Sequence, residues 1–211
     1  MRAPRSDRGA LLTPDELRLI ADATFFPAKA RIMAKVRGML EGVHEALKPE
    51  AAGAALLTPE GFDPAKYQLV KGEHLEDFPY QYLDFPKHFV GDDKFTFRSL
   101  FWWGHGFVFA LLLEGTHLPQ YKRHLINRFH QVAGRGLCLS LAPTLWEWKE
   151  GEGYTLPLTH DRKPEASAVL SGRRAVKLAR YLRPDDPLVA DGALPTVARE
   201  TFRSLLPVIA P

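Results

Sequence analysis

The chain of 211 residues has almost no cysteine and no long apolar run. Its single cysteine, Cys138, cannot form an internal disulfide, which excludes a disulfide-stapled secreted scaffold and a cysteine-rich zinc site. The longest apolar run, residues 107–113, is far shorter than the roughly 20 residues that a membrane-spanning helix needs. Three arginines near the start are not followed by the apolar stretch of a secretory signal. We therefore expect a cytoplasmic protein that does not bind membranes.

Sequence motifs of the common enzyme classes are also missing. The chain contains no P-loop, no Rossmann glycine fingerprint, no G-x-S-x-G, no H-E-x-x-H and no C-x-x-C. His117 and His124 share a helical face, but they lie about 10 Å apart along the helix axis, too far to bind one ion. We predict no metal site and no cofactor, and these absences do not decide whether the protein is an enzyme.

The overall composition is typical of a globular protein. Apolar residues make up 45% of the chain and charged residues 25%, and a net charge of +3 is too small to identify a nucleic-acid-binding protein. The length fits one domain. We predict a flexible basic tail over residues 1–11 and a single α+β domain over residues 12–211.

Capping signals and apolar spacing predict helices at both ends of the chain. Thr13, Pro14 and Glu16 form a capping box with proline at the first helical position. We expect Pro27 to end or bend this helix, and a second helix to close at Pro49 before a loop over residues 49–66. Further helices are predicted at residues 118–133, 164–182 and 196–206.

The middle of the chain predicts strands. Apolar and polar residues alternate over residues 95–103, Gly104 and Gly106 supply a turn, and residues 107–113 are bulky and apolar on both faces. This pattern predicts a β-hairpin near residues 95–113. Shorter strands are predicted at residues 137–141, 145–148 and 154–158. The fold class is therefore α+β, with a central antiparallel sheet flanked by N- and C-terminal helices.

Arg98 is a cation in the middle of an apolar strand. A buried, unpaired guanidinium is costly, so Arg98 needs an internal carboxylate or an anionic ligand unless it faces solvent. Asp84 is the carboxylate with which we expect it to pair. A ligand-facing arginine at the floor of a pocket is the alternative that would carry function.

Aromatic residues are dense around Arg98. Tyr80, Tyr82 and Trp102, with Trp103, Trp146 and Trp148, either line a cleft for a flat ligand or fill an ordinary core. His105, in the predicted hairpin turn, is either a solvated side chain or an acid–base group. The candidate ligand-binding residues are Tyr80, Tyr82, Asp84, Arg98, Trp102 and His105.

Two segments in this region resemble a block found in uncharacterised bacterial proteins. The first is P-Y-x-x-L-D-[FY]-P, which begins at Pro79, and the second is R-x-x-F-W-W-G, which begins at Arg98. The resemblance covers residues 79–106. It implies a bacterial origin and a single structural unit for both segments, and it transfers no activity or catalytic residue.

Three functions are consistent with these residues. The first is a binding or regulatory domain whose aromatic, Arg-containing cleft takes a small anionic or planar ligand. The second is an enzyme in which Asp84 and His105 act as acid and base while Arg98 stabilises negative charge. The third is a nucleic-acid-binding protein that uses basic helices near residues 118–133 and 166–182. The sequence also leaves homodimerisation through the aromatic block open.

Overall fold

The computed structural model describes residues 11–211, so that all but the last residue of the predicted basic tail lies outside the described part of the chain. Residues up to Lys35 form one compact unit and residues 36–211 another. The α-helices of the described chain are α1 Pro14–Ala21, α2 Phe25–Gly53, α3 Leu118–Asn127, α4 Phe129–Val132, α5 Lys163–Ser171, α6 Pro187–Ala190 and α7 Leu194–Ile209. The strands are β1 Gln68–Leu75, β2 Phe78–Val90, β3 Asp93–Trp102, β4 Gly106–Glu114, β5 Cys138–Ser140, β6 Thr155–Pro157 and β7 Ala175–Leu182.

The strands form one antiparallel sheet in the order β1-β2-β3-β4-β7-β5-β6. Together with the helices at both ends, this sheet confirms the predicted α+β class. The predicted hairpin is β3–β4, in register from Lys94 opposite Glu114 to Trp102 opposite Gly106. Gly106 closes the turn at φ +104°, where a Cβ atom would lie 2.1 Å from the carbonyl oxygen of Leu182. The turn therefore requires glycine at this position.

Capping side chains mark the starts of α1 and α2. Thr13 Oγ1 accepts a hydrogen bond from the Glu16 amide at 3.2 Å, and Glu16 Oε2 accepts one from the Thr13 amide at 2.6 Å. The expected effect of Pro27 is wrong, because α1 ends at Ala21 and Pro27 lies in the first turn of α2. Asp22 explains the break, since its carboxylate accepts hydrogen bonds from the amides of Thr24 and Phe25.

Several predicted boundaries were wrong. α2 does not close at Pro49 but continues to Gly53. Pro49 has no backbone N–H to donate, but it lies so near the end of α2 that only the last turn is interrupted. The predicted helix 118–133 is split into α3 and α4 at Arg128. The predicted helix 164–182 ends at Ser171, and its second half is β7. Pairing with β4 on one side and β5 on the other overrides the helical pattern there.

The sheet buries both of its faces. One, the helix face, carries side chains such as Phe97, Phe109 and Leu111, which belong to the main core with residues of α2, α3 and α7. The other we call the strap face, because residues 141–154, which connect β5 to β6, cross it without regular structure. We call these residues the strap. Leu145 and Trp148 of the strap are buried there against Leu100, Trp102, Val108, Ala110 and Leu112.

The predicted strand 145–148 therefore does not exist. The backbone carbonyls of Leu145 and Glu147 accept hydrogen bonds from the side chain of Lys177, not from a neighbouring strand. Within residues 11–211, no helix is long and apolar enough to cross a bilayer.

Candidate binding cavity beneath the strap

The register between β2 and β3 brings most of the candidate residues together on the strap face. Tyr80 lies opposite Trp102, Tyr82 opposite Leu100 and Asp84 opposite Arg98. Side chains two residues apart on a strand point to the same side of the sheet. The structural unit that joins the two segments is therefore a pair of neighbouring antiparallel strands.

Arg98 and Asp84 form the expected ion pair. Nε of Arg98 donates to Oδ1 of Asp84 at 2.7 Å and Nη2 donates to Oδ2 at 2.8 Å. The carboxylate is completely buried, and Arg98 is only 5% exposed. Both carboxylate oxygens face Nε and Nη2, so Nη1 takes no part in the contact. The charge of the guanidinium is balanced inside the fold.

Aromatic rings surround this guanidinium. Its central carbon lies 3.7 Å from the centre of the Tyr82 ring, 5.4 Å from that of Trp146 and 5.5 Å from that of Trp148. Each ring presents its negative face to the cation. Burial raises the pKa of Tyr82, while the nearby Arg98 acts in the opposite direction. The tyrosine is thus an uncharged hydroxyl beside a paired cation.

A cavity of about 340 Å³ opens above this floor. Arg98 and Leu100 contribute to its floor, and the strap contributes Trp146 and Trp148. The remaining lining residues come from β1 and β2 and are Gln68, Leu75, Tyr80, Tyr82 and Phe89. Of the six candidate residues, Tyr80, Tyr82 and Arg98 line the cavity, and Asp84 lies beneath it.

Trp102 and His105 lie outside the lining. Trp102 is buried, and its indole Nε1 donates to the carbonyl of Leu75 at 3.0 Å. The His105 ring stacks on Trp102 with a centroid distance of 3.5 Å. Trp102 lies four residues from Arg98 along β3, which corresponds to about 13 Å. Asp84, opposite Arg98, and His105, stacked on Trp102, are therefore at separate places on the sheet and are not positioned as an acid–base pair.

A glycine on β1 makes room for one wall of the cavity. Tyr80 and Tyr82 stack with centroids 6.1 Å apart and planes only 3° from parallel. Gly72 lies opposite Tyr80, and a Cβ atom on Gly72 would come within 2.3 Å of the Tyr80 ring. The ring can lie over β1 only because position 72 has no side chain.

Lys177 holds the strap against the sheet and was missed at the sequence level. Its Nζ donates to the carbonyls of Leu145, at 3.2 Å, and Glu147, and it lies 4.4 Å from the centre of the Trp148 ring. Lys177 is only 2% exposed, and burial lowers its pKa to about 8. The predicted helix over this segment made Lys177 a surface residue. Because β7 is a strand, its side chains alternate between the two faces of the sheet, and that of Lys177 lies on the buried strap face.

Other contacts hold the strap at its start and again further along it. The Arg173 guanidinium donates to the carbonyl of Leu141 where the strap leaves β5. At the opposite edge of the sheet, Lys149 Nζ lies 2.7 Å from Glu76 Oε1. The strap therefore spans the sheet from β5 towards β1 and β2, and it places Trp146 and Trp148 over Arg98.

The basic residues expected to bind nucleic acid are arranged differently from the prediction. The helix expected over residues 166–182 ends at Ser171, and Lys177 is buried. Lys122 and Arg123 of α3 do line a groove with Arg173 and Arg174, but Asp92 and Glu114 line it as well. The groove is a mixed-charge surface, not a continuous basic stripe.

No metal site emerges from the described residues, since residues 11–211 contain no group of three or more His, Cys, Asp or Glu side chains placed to hold an ion. Cys138 is half-buried, and burial raises the pKa of its thiol. Comparisons of the chain with known protein families, curated proteins and solved structures find no match.

Proposed function

We propose that this protein is a binding module for a small planar molecule, which inserts into the cavity beneath the strap. The observation that carries the proposal is an aromatic cavity with a buried, hydrogen-bonding floor. Tyr80 and Tyr82 form one wall, Trp146 and Trp148 of the strap form another, and Arg98 lies between them. A volume of about 340 Å³ is within the range of small-molecule sites.

The charge balance of the floor favours a flat ligand over a strongly anionic one. Asp84 already neutralises Arg98, so an anion entering the cavity would meet a charge that is balanced within the fold. A neutral ring with one acceptor atom at its edge needs only a hydrogen-bond donor, and not an unpaired positive charge. It can lie against the tyrosine and tryptophan rings and accept a hydrogen bond from Nη1 of Arg98.

The two alternatives have weaker support. Acid–base catalysis needs Asp84 and His105 at one point, whereas Asp84 lies opposite Arg98 and His105 stacks on Trp102, four residues further along β3. Nucleic-acid binding through the groove near α3 meets two carboxylates among the four cations. We also propose, from the sequence, that the protein is bacterial and cytoplasmic.

The proposal can be tested with three soluble probes that differ in shape and charge. Quinoline is planar and neutral with an acceptor, benzoate is planar and anionic, and pivalate is anionic but not planar. We expect ligand-observed NMR to detect quinoline and benzoate, and not pivalate. Trp146→Ala and Tyr82→Leu should each weaken the binding of quinoline about tenfold or more, because each removes a wall of the cavity.

Phe78→Ala is the matched control. Phe78 is an exposed aromatic residue on the same strand as Tyr82, but it contacts His105 and does not line the cavity. Thermal unfolding of each variant checks that the fold is intact. Binding of pivalate at the strength of benzoate, or unchanged quinoline binding in both cavity variants, would contradict the proposal.

A further inference from the structure

The first helix has an apolar face that the described part of the chain leaves uncovered. α1 has eight residues and buries none of them. An isolated helix of this length is marginal in water even when it is well capped. Its sequence is nevertheless that of a packed helix, because Leu17, Ile20 and Ala21 share one face, whereas Asp15 and Arg18 form an ion pair on another. A partner that covers the apolar face has to come from outside the described residues.

This face belongs to a larger apolar surface at the start of the described chain. Of the thirteen large hydrophobic residues that are exposed there, eight lie within residues 11–32. They are Leu11, Leu12, Leu17, Leu19, Ile20, Phe25, Phe26 and Ile32. With exposed fractions from 42% to 93%, they present on the order of 1,000 Å² to solvent. The largest apolar patch of a typical monomer is about 300–600 Å², and larger ones mark interaction sites.

The charges around this surface divide into two groups of opposite sign. Residues 13–24, which include α1, hold three carboxylates and one arginine. Residues 25–35, the first three turns of α2, hold Lys29, Arg31 and Lys35 and no carboxylate. Each group would attract the other group in a second molecule. The surface is therefore complementary to itself in charge as well as in apolar character.

An anionic membrane fits this surface less well than a second copy of the chain does. Asp15, Glu16 and Asp22 all lie within the apolar segment. Hydrogen bonds from Thr13 lower the pKa of Glu16, and hydrogen bonds from Thr24 lower that of Asp22, so both carboxylates stay ionised at neutral pH. A negatively charged lipid surface would repel them, whereas a second copy offers them cations.

We propose that the surface formed by residues 11–35 is the interface of a homodimer. In a two-fold arrangement, α1 of each copy lies against the first three turns of α2 of the other, because such an interface forms every contact twice. The exposed apolar surface of about 1,000 Å² per copy is sufficient for the roughly 800 Å² that each partner contributes to a stable interface of standard size. The proposal does not depend on the function assigned to the strap cavity, since no residue that lines that cavity lies within residues 11–35.

Sedimentation velocity on the full chain measures the association. We expect twice the mass of one chain above about 1 μM, since interfaces of this size bind with micromolar or tighter affinity. Leu17→Gln with Ile20→Gln, and Phe26→Gln alone, remove apolar area without a change of charge. Each should raise the concentration of half-association about tenfold or more. Arg31→Glu with Lys35→Glu should do the same, because the start of α2 would then repel α1.

Hydrogen exchange locates the interface independently of the variants. The amides of residues 17–21 should exchange slowly in the dimer and rapidly after dilution below the concentration of half-association, because α1 buries none of its residues within one described chain. Exchange at these amides that does not change on dilution of the dimer would overturn the proposal.

Phe78→Gln is the matched control, because Phe78 is an exposed phenylalanine in the aromatic segment of β2. It should leave the association unchanged, and thermal unfolding checks that every variant is folded. The mass of a single chain at about 100 μM would overturn the proposal. A dimer that Phe78→Gln dissociates, or one that the substitutions in α1 and α2 leave intact, would also overturn it. Binding of a monomer to vesicles of phosphatidylglycerol and phosphatidylcholine would assign the surface to a membrane instead.

Discussion

Removal of one partner of the buried ion pair should destabilise the protein far more than removal of both. Asp84 is completely buried and holds Arg98 through two hydrogen bonds of 2.7 and 2.8 Å. Asp84→Asn leaves a guanidinium without a counter-charge in an apolar environment. Arg98→Met leaves a carboxylate there instead. The double variant Asp84→Leu with Arg98→Met removes both charges and keeps most of the side-chain volume.

The expected magnitudes follow from this geometry. Breaking a buried pair costs about 3–5 kcal/mol. Asp84→Asn should fall near the lower end, about 3 kcal/mol, because the Tyr82 ring at 3.7 Å continues to stabilise the cation. That loss corresponds to a fall in melting temperature of about 6–12 °C for a chain of this size. Arg98→Met should cost about 5 kcal/mol, since no ring stabilises a carboxylate, and the double variant should lie within about 1 kcal/mol of the unmodified protein.

The assay is urea unfolding of all four proteins, analysed as a double-mutant cycle. Arg203 and Glu50 provide the control, because they form the same two-bond contact, at 2.7 and 2.8 Å, with Arg203 58% exposed. Glu50→Gln should cost much less than Asp84→Asn, since water replaces the lost partner. Losses of similar size at the two pairs, or additive effects of the two buried substitutions, would refute the reasoning.

Two further predictions concern the strap and the cavity wall. The pKa of Lys177 is about 8 in the folded protein and near 10.5 when unfolded, so the unfolded chain binds more protons between these values and this group's contribution to stability rises with pH across that window. The stability of Lys177→Met relative to the unmodified protein should therefore fall by about 2 kcal/mol from pH ~8 to ~9.5 in urea unfolding, and a pH-independent difference would contradict it. Gly72→Ala should displace the Tyr80 ring and weaken quinoline binding several-fold, whereas Gly38→Ala, where nothing lies within 4 Å of the added methyl group, should leave binding unchanged. Unaltered binding in Gly72→Ala would show that the Tyr80 ring does not contact the ligand.

The parts of the fold that depend on local patterns were predictable from the sequence. Thr13 and Glu16 identified the first helix through capping, and the alternation in β3 with two following glycines identified the hairpin. The pairing of Arg98 with Asp84 was also predictable, because an arginine in an apolar strand needs a carboxylate and Asp84 stands in the neighbouring aromatic segment. Each of these inferences used residues close together in sequence or a strong energetic requirement.

The parts that depend on distant partners could not be predicted in this way. Residues 175–182 have helix-compatible spacing, but their place between β4 and β5 makes them a central strand. Lys177 was consequently misplaced, and with it the role of the strap, because nothing local shows that a lysine donates to carbonyls about 30 residues away. His44 gave no signal either, because its burial against Tyr67 and Phe85 depends on residues that are distant in sequence.

The floor of the strap cavity itself argues for recognition over stability. An apolar pair of similar volume would serve the core as well as Arg98 and Asp84 do, because desolvation offsets most of the attraction between buried charges. Across the sheet, Ala110 of β4 lies opposite Arg98, and Ala179 of β7 lies opposite Ala110. These two small residues pack in the cluster that holds Trp148. The strap can therefore approach the sheet closely enough to bring its indoles over the guanidinium. The proposed function accounts for a polar group at this position, beneath aromatic walls and beside an open cavity, as a hydrogen-bond donor to the ligand. The double variant separates the two roles, since it should fold like the unmodified protein and lose its affinity for quinoline.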